Sequence, residues 1–130
     1  YEFIDDFVAK NKDYTFTYIG RDLETFKNTR IVKPIFGNKL GEELSKYDVY
    51  ISGSKFDPGP NHILESLACK LPTIVCKDGG GSVEFTNDNV YSNFDDLIDI
   101  LKNKKYKFSM NIQIKDWKEC ILNCSKVVSC

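Results

Sequence analysis

The chain contains no apolar run approaching the roughly 20 residues of a membrane-spanning helix, and Tyr1 does not begin a basic, apolar, small-residue leader. These two absences lead us to expect a soluble, cytoplasmic protein. An excess of charge is lacking too: 18 lysines and arginines face 19 aspartates and glutamates, for a formal net charge of -1. No global field therefore recruits nucleic acid or an anionic membrane, and partners have to be argued from a site. Glycine (8) and proline (4) are sparse while 42% of the residues are apolar, which excludes a disordered or low-complexity chain.

Histidine occurs once, at position 62, so a histidine-rich metal site is excluded, and cysteine occurs five times, an odd number. Cys69 and Cys76 lie in apolar segments, where a free thiol packs as a small hydrophobe. Cys120 and Cys124 fall on one face of a candidate helix but lack a second ligand pair at metal spacing. The expectation is unpaired thiols in a reducing compartment, with no metal and no cofactor.

What is present is an alternation. At 130 residues the chain suits one domain with a single core. "YEFIDDFVAKN" places Phe3, Ile4, Phe7 and Val8 at helical spacing; "TFTYIG" and "RIVKPIF" read as short strands; "KLGEELSKYD" returns to helical spacing through Leu40, Leu44 and Tyr47. "DVYISGS" is an apolar strand, "PNHILESLACKL" a helix striped by Ile63, Leu64, Leu67, Ala68 and Leu71, and "PTIVCK" a strand followed by the loop "DGGGS". Pro60 suits the first turn of that helix, where its missing N–H costs nothing. "NFDDLIDILKNKK" has acids early and lysines late, matching a helix dipole, and "IKDWKECILNCSKVV" aligns Trp117, Cys120, Ile121, Cys124 and Val128. Short apolar strands alternating with helices predict an α/β fold, a Rossmann-like parallel sheet flanked by helices. Such sheets bind ligands where strands end and helices begin.

Two loops fall at such places. Glycine backbones approach a ligand closely and offer N–H groups to phosphate, so Gly79, Gly80 and Gly81 after a buried strand suit a pyrophosphate cradle, or simply a turn. In "SKFDPGPN", Pro58 and Pro60 stiffen a loop that leads into a helix N-terminus, whose N–H groups favour anions and hydroxyls. Asp57 and Glu65 close the two ends of nine residues, and Glu65 shares a helix face with Asn61. A carboxylate there accepts two hydrogen bonds from neighbouring hydroxyls, such as those of a ribose. The plainer alternative makes Asp57 a helix cap and Glu65 a solvated acid. His62 reads as a histidine hydrogen-bonded to its surroundings ahead of a catalytic base.

"DPGPNHILESLACKLPTIV" followed by "GGGSVEF" resembles the donor-binding signature of retaining glycosyltransferases of the GT-B fold, family 4, the group related to glycogen and sucrose synthases. In that family a Glu-x7-Glu motif precedes a small-residue helix, then "LP" and a strand, then a Gly-Gly loop and another glutamate. The likeness covers about residues 14 to 86, because "FTYIG" and "YDVYISGS" also sit where the family has strands. It implies that residues 1–130 are a single, partial C-terminal donor-binding domain lacking its first strand. It also implies retaining transfer of a hexose from a nucleotide-sugar donor to an acceptor held by an N-terminal lobe outside this chain. Any peripheral membrane contact would come through that lobe, and the isolated lobe would be inactive.

Carried over residue by residue, the resemblance places Asp57 and Glu65 in the catalytic motif, with Asp57 and the backbone of Pro58, Gly59, Pro60 and Asn61 at the transferred sugar and Glu65 at the ribose. Gly79, Gly80 and Gly81 would lie by the diphosphate, Glu84 would orient their loop, and the base would rest near Ile35, Phe36 and Gly37. Three departures stand out. Asp57 is shorter than the usual glutamate, Lys70 replaces the glycine of "ACGLP", and the arginine and lysine that the family's first strand and loop supply to the phosphates have no counterpart pair here. Asp57 and the missing cations motivate an alternative, a non-catalytic nucleotide-sugar-binding module; a flavodoxin-like interaction domain is a third reading.

Overall fold

A computed structural model describes residues 2–21, 26–86 and 89–108. The helix read at "IKDWKECILNCSKVV" lies outside the described residues. The chain divides into two compact units, Tyr1–Glu43 and Leu44–Cys130.

The first unit runs α1 (Glu2–Lys10), β1 (Thr17–Ile19), β2 (Arg30–Val32) and most of α2 (Asn38–Leu44), whose last residue opens the second unit. Strands β1 and β2 pair in parallel, with Thr17 opposite Arg30 and Ile19 opposite Val32. Helix α1 stops where the Asn11 amide donates to the Phe7 carbonyl at 2.8 Å, closing the last turn, and the Phe7 ring meets Tyr14 with centroids 5.2 Å apart. Its apolar face is narrower than the spacing predicts: Val8 is buried, but Phe3 is 67% exposed.

Buried Asp5 on α1 ties the loop before β2. Its carboxylate accepts the Thr29 hydroxyl (2.7 Å), the backbone N–H groups of Asn28 (2.8 Å) and Lys27 (3.1 Å), and the Asn28 amide (3.2 Å). The Thr29 hydroxyl, with these three further donors, holds the carboxyl well below the usual range, at about 2, against the opposing effect of burial. The other buried acid of this unit, Glu43, accepts from the Arg30 guanidinium at 2.9 Å.

The second unit continues β3 (Tyr50–Ser52), α3 (Asn61–Ala68), β4 (Thr73–Cys76), α4 (Gly81–Thr86), β5 (Val90–Tyr91) and α5 (Phe94–Lys102). Its strands lie in sequence order and are all parallel. Central β4 is buried along its whole length, which explains why "TIVC" shows no polar alternation. Ile63 and Leu67 of α3 pack with Val75 as the core, and Tyr50, Val83, Phe85 and Val90 pack around them. Two polar residues also join α3 to β4. The buried Ser66 and Thr73 hydroxyls are hydrogen-bonded at 2.9 Å, and they donate to the carbonyls of Ile63 and Leu71 respectively wherever the shared proton leaves them free to do so.

Helix α5 begins with a reciprocal cap. Asn93 Oδ1 accepts the Asp96 N–H at 2.9 Å while Asp96 Oδ2 accepts the Ser92 N–H at 2.7 Å. Helices α3 and α5 end alike. Beyond α3, the Lys70 N–H reaches the Leu67 carbonyl and the Leu71 N–H the Ser66 carbonyl; beyond α5, Lys104 reaches Leu101 and Lys105 reaches Ile100. This paired pattern needs a left-handed residue, usually glycine, just past the helix. Here that residue is lysine both times, Lys70 at φ +58° and Lys104 at φ +48°.

The architecture is therefore α/β, with small parallel sheets flanked by helices, the Rossmann-like class that the alternation predicts. The alternation suggests one sheet, whereas the ladders among the described residues form two, β1–β2 and β3–β4–β5. Helix α4 begins inside the stretch read as the loop "DGGGS", and strand β5 lies in residues to which the pattern assigns no element. Pro60 sits one place earlier than expected, at the N-cap of α3 with no side-chain cap. Among the described residues no helix is long and apolar enough to cross a membrane.

Candidate functional site

The two loops singled out in the sequence leave the C-terminal ends of the neighbouring parallel strands β3 and β4, and they are bonded to each other. The Phe56 N–H donates to the Asp78 carbonyl (2.8 Å), the Gly81 N–H donates to the Asp57 carbonyl (3.0 Å), and Asp57 and Gly80 form a parallel bridge beyond the strands. The glycines are what permit this approach. A Cβ on Gly80, which sits at φ +66°, would stand 2.9 Å from the Asp57 carbonyl oxygen, and one on Gly79 would stand 2.8 Å from the Cys76 carbonyl oxygen. Gly79 also donates its N–H to Cys76 (2.9 Å), so the amides of Gly79 and Gly81 are both committed within the protein. Gly80 is the exposed member of the loop.

Asp57 is half-buried and does not cap α3. Its Oδ1 accepts the Gly59 N–H at 3.0 Å, a tight local turn that fixes one carboxylate oxygen and turns the loop toward Pro60. Pro58, Gly59 and Asn61 are exposed and Pro60 is buried. Before Asp57, Phe56 holds φ +56° with its side chain 80% exposed, a conformation that bulky residues rarely adopt. Lys55 and Lys77, one on each loop, are exposed as well.

Glu65 lies on α3 one turn after Asn61 and is half-buried rather than solvated. Among the described residues no hydrogen-bond donor meets its carboxylate, and burial pushes its carboxyl above the usual range. Its charge also helps to raise the Cys69 thiol one turn on, although burial of the thiol is the larger cause. Glu84 is exposed on α4, in the turn that follows the glycines. Beside the loop, the fully buried Ser82 hydroxyl has no hydrogen-bond partner among the described residues.

His62, in the first turn of α3, joins the strand end to the acid. Its Nε2 is 3.1 Å from the Ser52 hydroxyl at the end of β3, and its Nδ1 is 3.8 Å from Asp57 Oδ2. The Tyr50 ring lies beside it, with centroids 6.3 Å apart. Burial, the larger effect, lowers the imidazole below its ordinary value, and the Asp57 charge works the other way.

The second unit thus brings Asp57, Pro58 and Pro60 together with Gly79, Gly80 and Gly81, and it adds Glu65 and Asn61 from α3. Ile35, Phe36 and Gly37 belong to the first unit, after β2. Phe36 is exposed there, and Gly37, at φ +62°, accepts the Leu40 and Gly41 N–H groups with its carbonyl to start α2. Ser52 and Phe56 were not legible as members of the site. Ser52 enters through a side-chain bond across ten residues, and Phe56 through a backbone angle. No family model matches the chain, and no curated protein matches it.

Proposed function

We propose that the second unit is the nucleotide-sugar-binding part of a retaining hexosyltransferase, completed by an acceptor-binding lobe outside this chain. The observation that carries the reading is the bonding of the Asp57 loop to the glycine loop at the ends of β3 and β4, with the half-buried Glu65 carboxylate, which meets no donor among the described residues, on the helix between those strands. Strand ends of parallel sheets are where such ligands sit, and a half-buried carboxylate without a donor is suited to a pair of ribose hydroxyls.

In this reading Glu65 accepts the ribose hydroxyls, and Asp57 with the loop to Asn61 orients the hexose. Gly80 and the helix ends face the diphosphate. Retaining transfer leaves negative charge on the departing diphosphate, so fixed N–H dipoles and cations beside it lower the barrier. Lys55 and Lys77 are the cations that these two loops carry, and we assign them that role. Glu84 is proposed to steady the glycine loop.

One observation favours the second reading, a binding module without turnover: two of the three glycine amides are already bonded to carbonyls of the protein, leaving fewer donors for a diphosphate. Calorimetric titration with UDP, GDP and ADP and with UDP-glucose, GDP-mannose and ADP-glucose, on the wild-type chain and Glu65→Ala, tests both. Saturable binding of one base, weakened by the substitution, supports a donor site. Transfer or hydrolysis of the bound donor, once the acceptor lobe is supplied, separates enzyme from module. A folded chain that binds none of the six refutes both.

A further inference from the structure

We infer that His62 is a positioning residue for Asp57, anchored by Ser52 so that its Nδ1–H faces the second carboxylate oxygen. The inference deepens the donor-site reading and rests on it for the role of Asp57.

The argument begins at Ser52. Its Oγ accepts the Ser54 N–H at 3.3 Å, and its carbonyl accepts the Tyr91 hydroxyl at 3.1 Å, so both ends of the residue are fixed from neighbouring segments. The Ser52 hydroxyl lies 3.1 Å from His62 Nε2; because the Asp57 carboxylate, an acceptor, stands beside Nδ1, we assign the ring proton to Nδ1 and the Ser52 hydroxyl as the donor to Nε2. A neutral imidazole that accepts at Nε2 carries its proton on Nδ1. Nδ1 is the atom that faces Asp57 Oδ2, at 3.8 Å. This separation is longer than a hydrogen bond; contacts in unliganded sites are often long and tighten in the complex, and we take this one to close when the sugar nucleotide binds.

Asp57 is thereby addressed at both oxygens. Oδ1 is held by the Gly59 N–H, and Oδ2 stands before the imidazole. A carboxylate oriented in this way keeps its remaining lone pairs in fixed directions for a hydroxyl of the bound sugar. The order serine, histidine, carboxylate is also that of a nucleophilic relay. Here Ser52 is only 4% exposed, and a nucleophile has to be reachable, so the chain works toward Asp57 and not toward Ser52. Among the described residues, the ionisable groups placed at the ring are Tyr50 from β3 and Asp57 from the loop, and Glu65 follows three residues later on the same helix. The Asp57 charge opposes the larger effect of burial on the ring's proton affinity.

His62 is the chain's only histidine, so its ring is followed without ambiguity by NMR. We expect Asp57→Asn to lower the titration midpoint, because the charge that favours imidazolium is gone, and Ser52→Ala to raise it, because the neutral ring loses its donor at Nε2. A midpoint unmoved by Asp57→Asn overturns the inference. In the second arm, His62→Ala lowers the affinity for a sugar nucleotide relative to its bare nucleoside diphosphate by about fivefold, the worth of one net hydrogen bond, with the diphosphate itself bound as before. His62→Asn, whose amide nitrogen stands where Nδ1 does, recovers most of that ratio. A ratio unchanged in His62→Ala is fatal to the positioning role. Where the wild-type chain binds neither diphosphates nor sugar nucleotides, the donor-site reading fails by itself, and the NMR titration still decides whether His62 and Asp57 are coupled.

Discussion

Asp5 in the first unit and Glu65 in the second are both carboxylates on short helices, and their surroundings push them in opposite directions. Asp5 is met by four donors from the loop before β2 and is held at about 2, whereas Glu65 is half-buried, meets no donor among the described residues, and is raised by burial. Sequence spacing makes them look alike; what separates them is the supply of N–H and O–H groups. An acid whose acceptor capacity is filled is part of the fold, and one left partly desolvated without partners is available to a ligand.

The widest gap between the two is expected on truncation. Asp5→Ala strands the Thr29 hydroxyl and the Lys27 and Asn28 amides, so it should give the largest fall in thermal stability of any change discussed here. Asp5→Asn, which keeps one acceptor oxygen, should lose less; equal losses would mean that the charge and not the geometry matters. Glu65→Ala should leave the melting temperature unchanged or slightly raised and weaken nucleotide binding by about tenfold, or ~1.4 kcal/mol, as read by calorimetry.

The two acids should also respond to pH with opposite signs. Asp5 has a depressed folded-state value, so its stabilising contribution is complete above the ordinary carboxyl value near 3.8 and is lost as pH falls toward about 2. Glu65 has a raised folded-state value, so the folded chain binds its proton more tightly than the unfolded chain, and stability rises as pH falls through that value. Melting curves between pH 2 and 7 on the single variants Asp5→Asn and Glu65→Gln isolate the two slopes; slopes of the same sign would dissolve the contrast.

Smaller effects sharpen the contrast within the second unit. Lys70→Gly and Lys104→Gly should each stabilise by about 1 kcal/mol, because both lysines hold left-handed angles that cost a side chain roughly that much. Denaturant midpoints of the two variants and their double check this and its additivity. The smallest change is expected for Ser82→Ala, a gain below about 1 kcal/mol, since its buried hydroxyl has no partner among the described residues. A loss there would mean that something does meet the hydroxyl.

Helix α3 and strand β4 were legible because a stripe of Ile63, Leu67 and Leu71 and the run "TIVC" each extend over enough residues to show a period or its absence. Helix α4, at six residues, and β5, at two, are too short to carry one. The triple glycine was legible as a loop, but its reason was not visible: the approach of one backbone to another, Gly80 against Asp57, depends on β3 and β4 being neighbours. Residue type likewise said nothing of Lys70 and Lys104, where the closing hydrogen bonds impose the angle. Of the site, the two acids and the glycines were in the pattern. Ser52 and His62 were not a pattern at all, since their pairing needs the end of β3 beside the first turn of α3.

The bridge between Asp57 and Gly80 has a consequence for how the second unit moves. Amides in surface loops normally exchange with solvent as fast as the loop frays. Those of Phe56 and Gly81 are instead tied across the two loops, in continuation of the β3–β4 ladder. They should exchange on the timescale of the strands, as members of one opening unit, while the neighbouring exposed Lys55 and Gly59 are governed by local motion. Exchange of that kind would mean that the two loops give up conformational freedom together when the chain folds, so that a ligand settling on them meets a surface whose ordering cost has in part already been met.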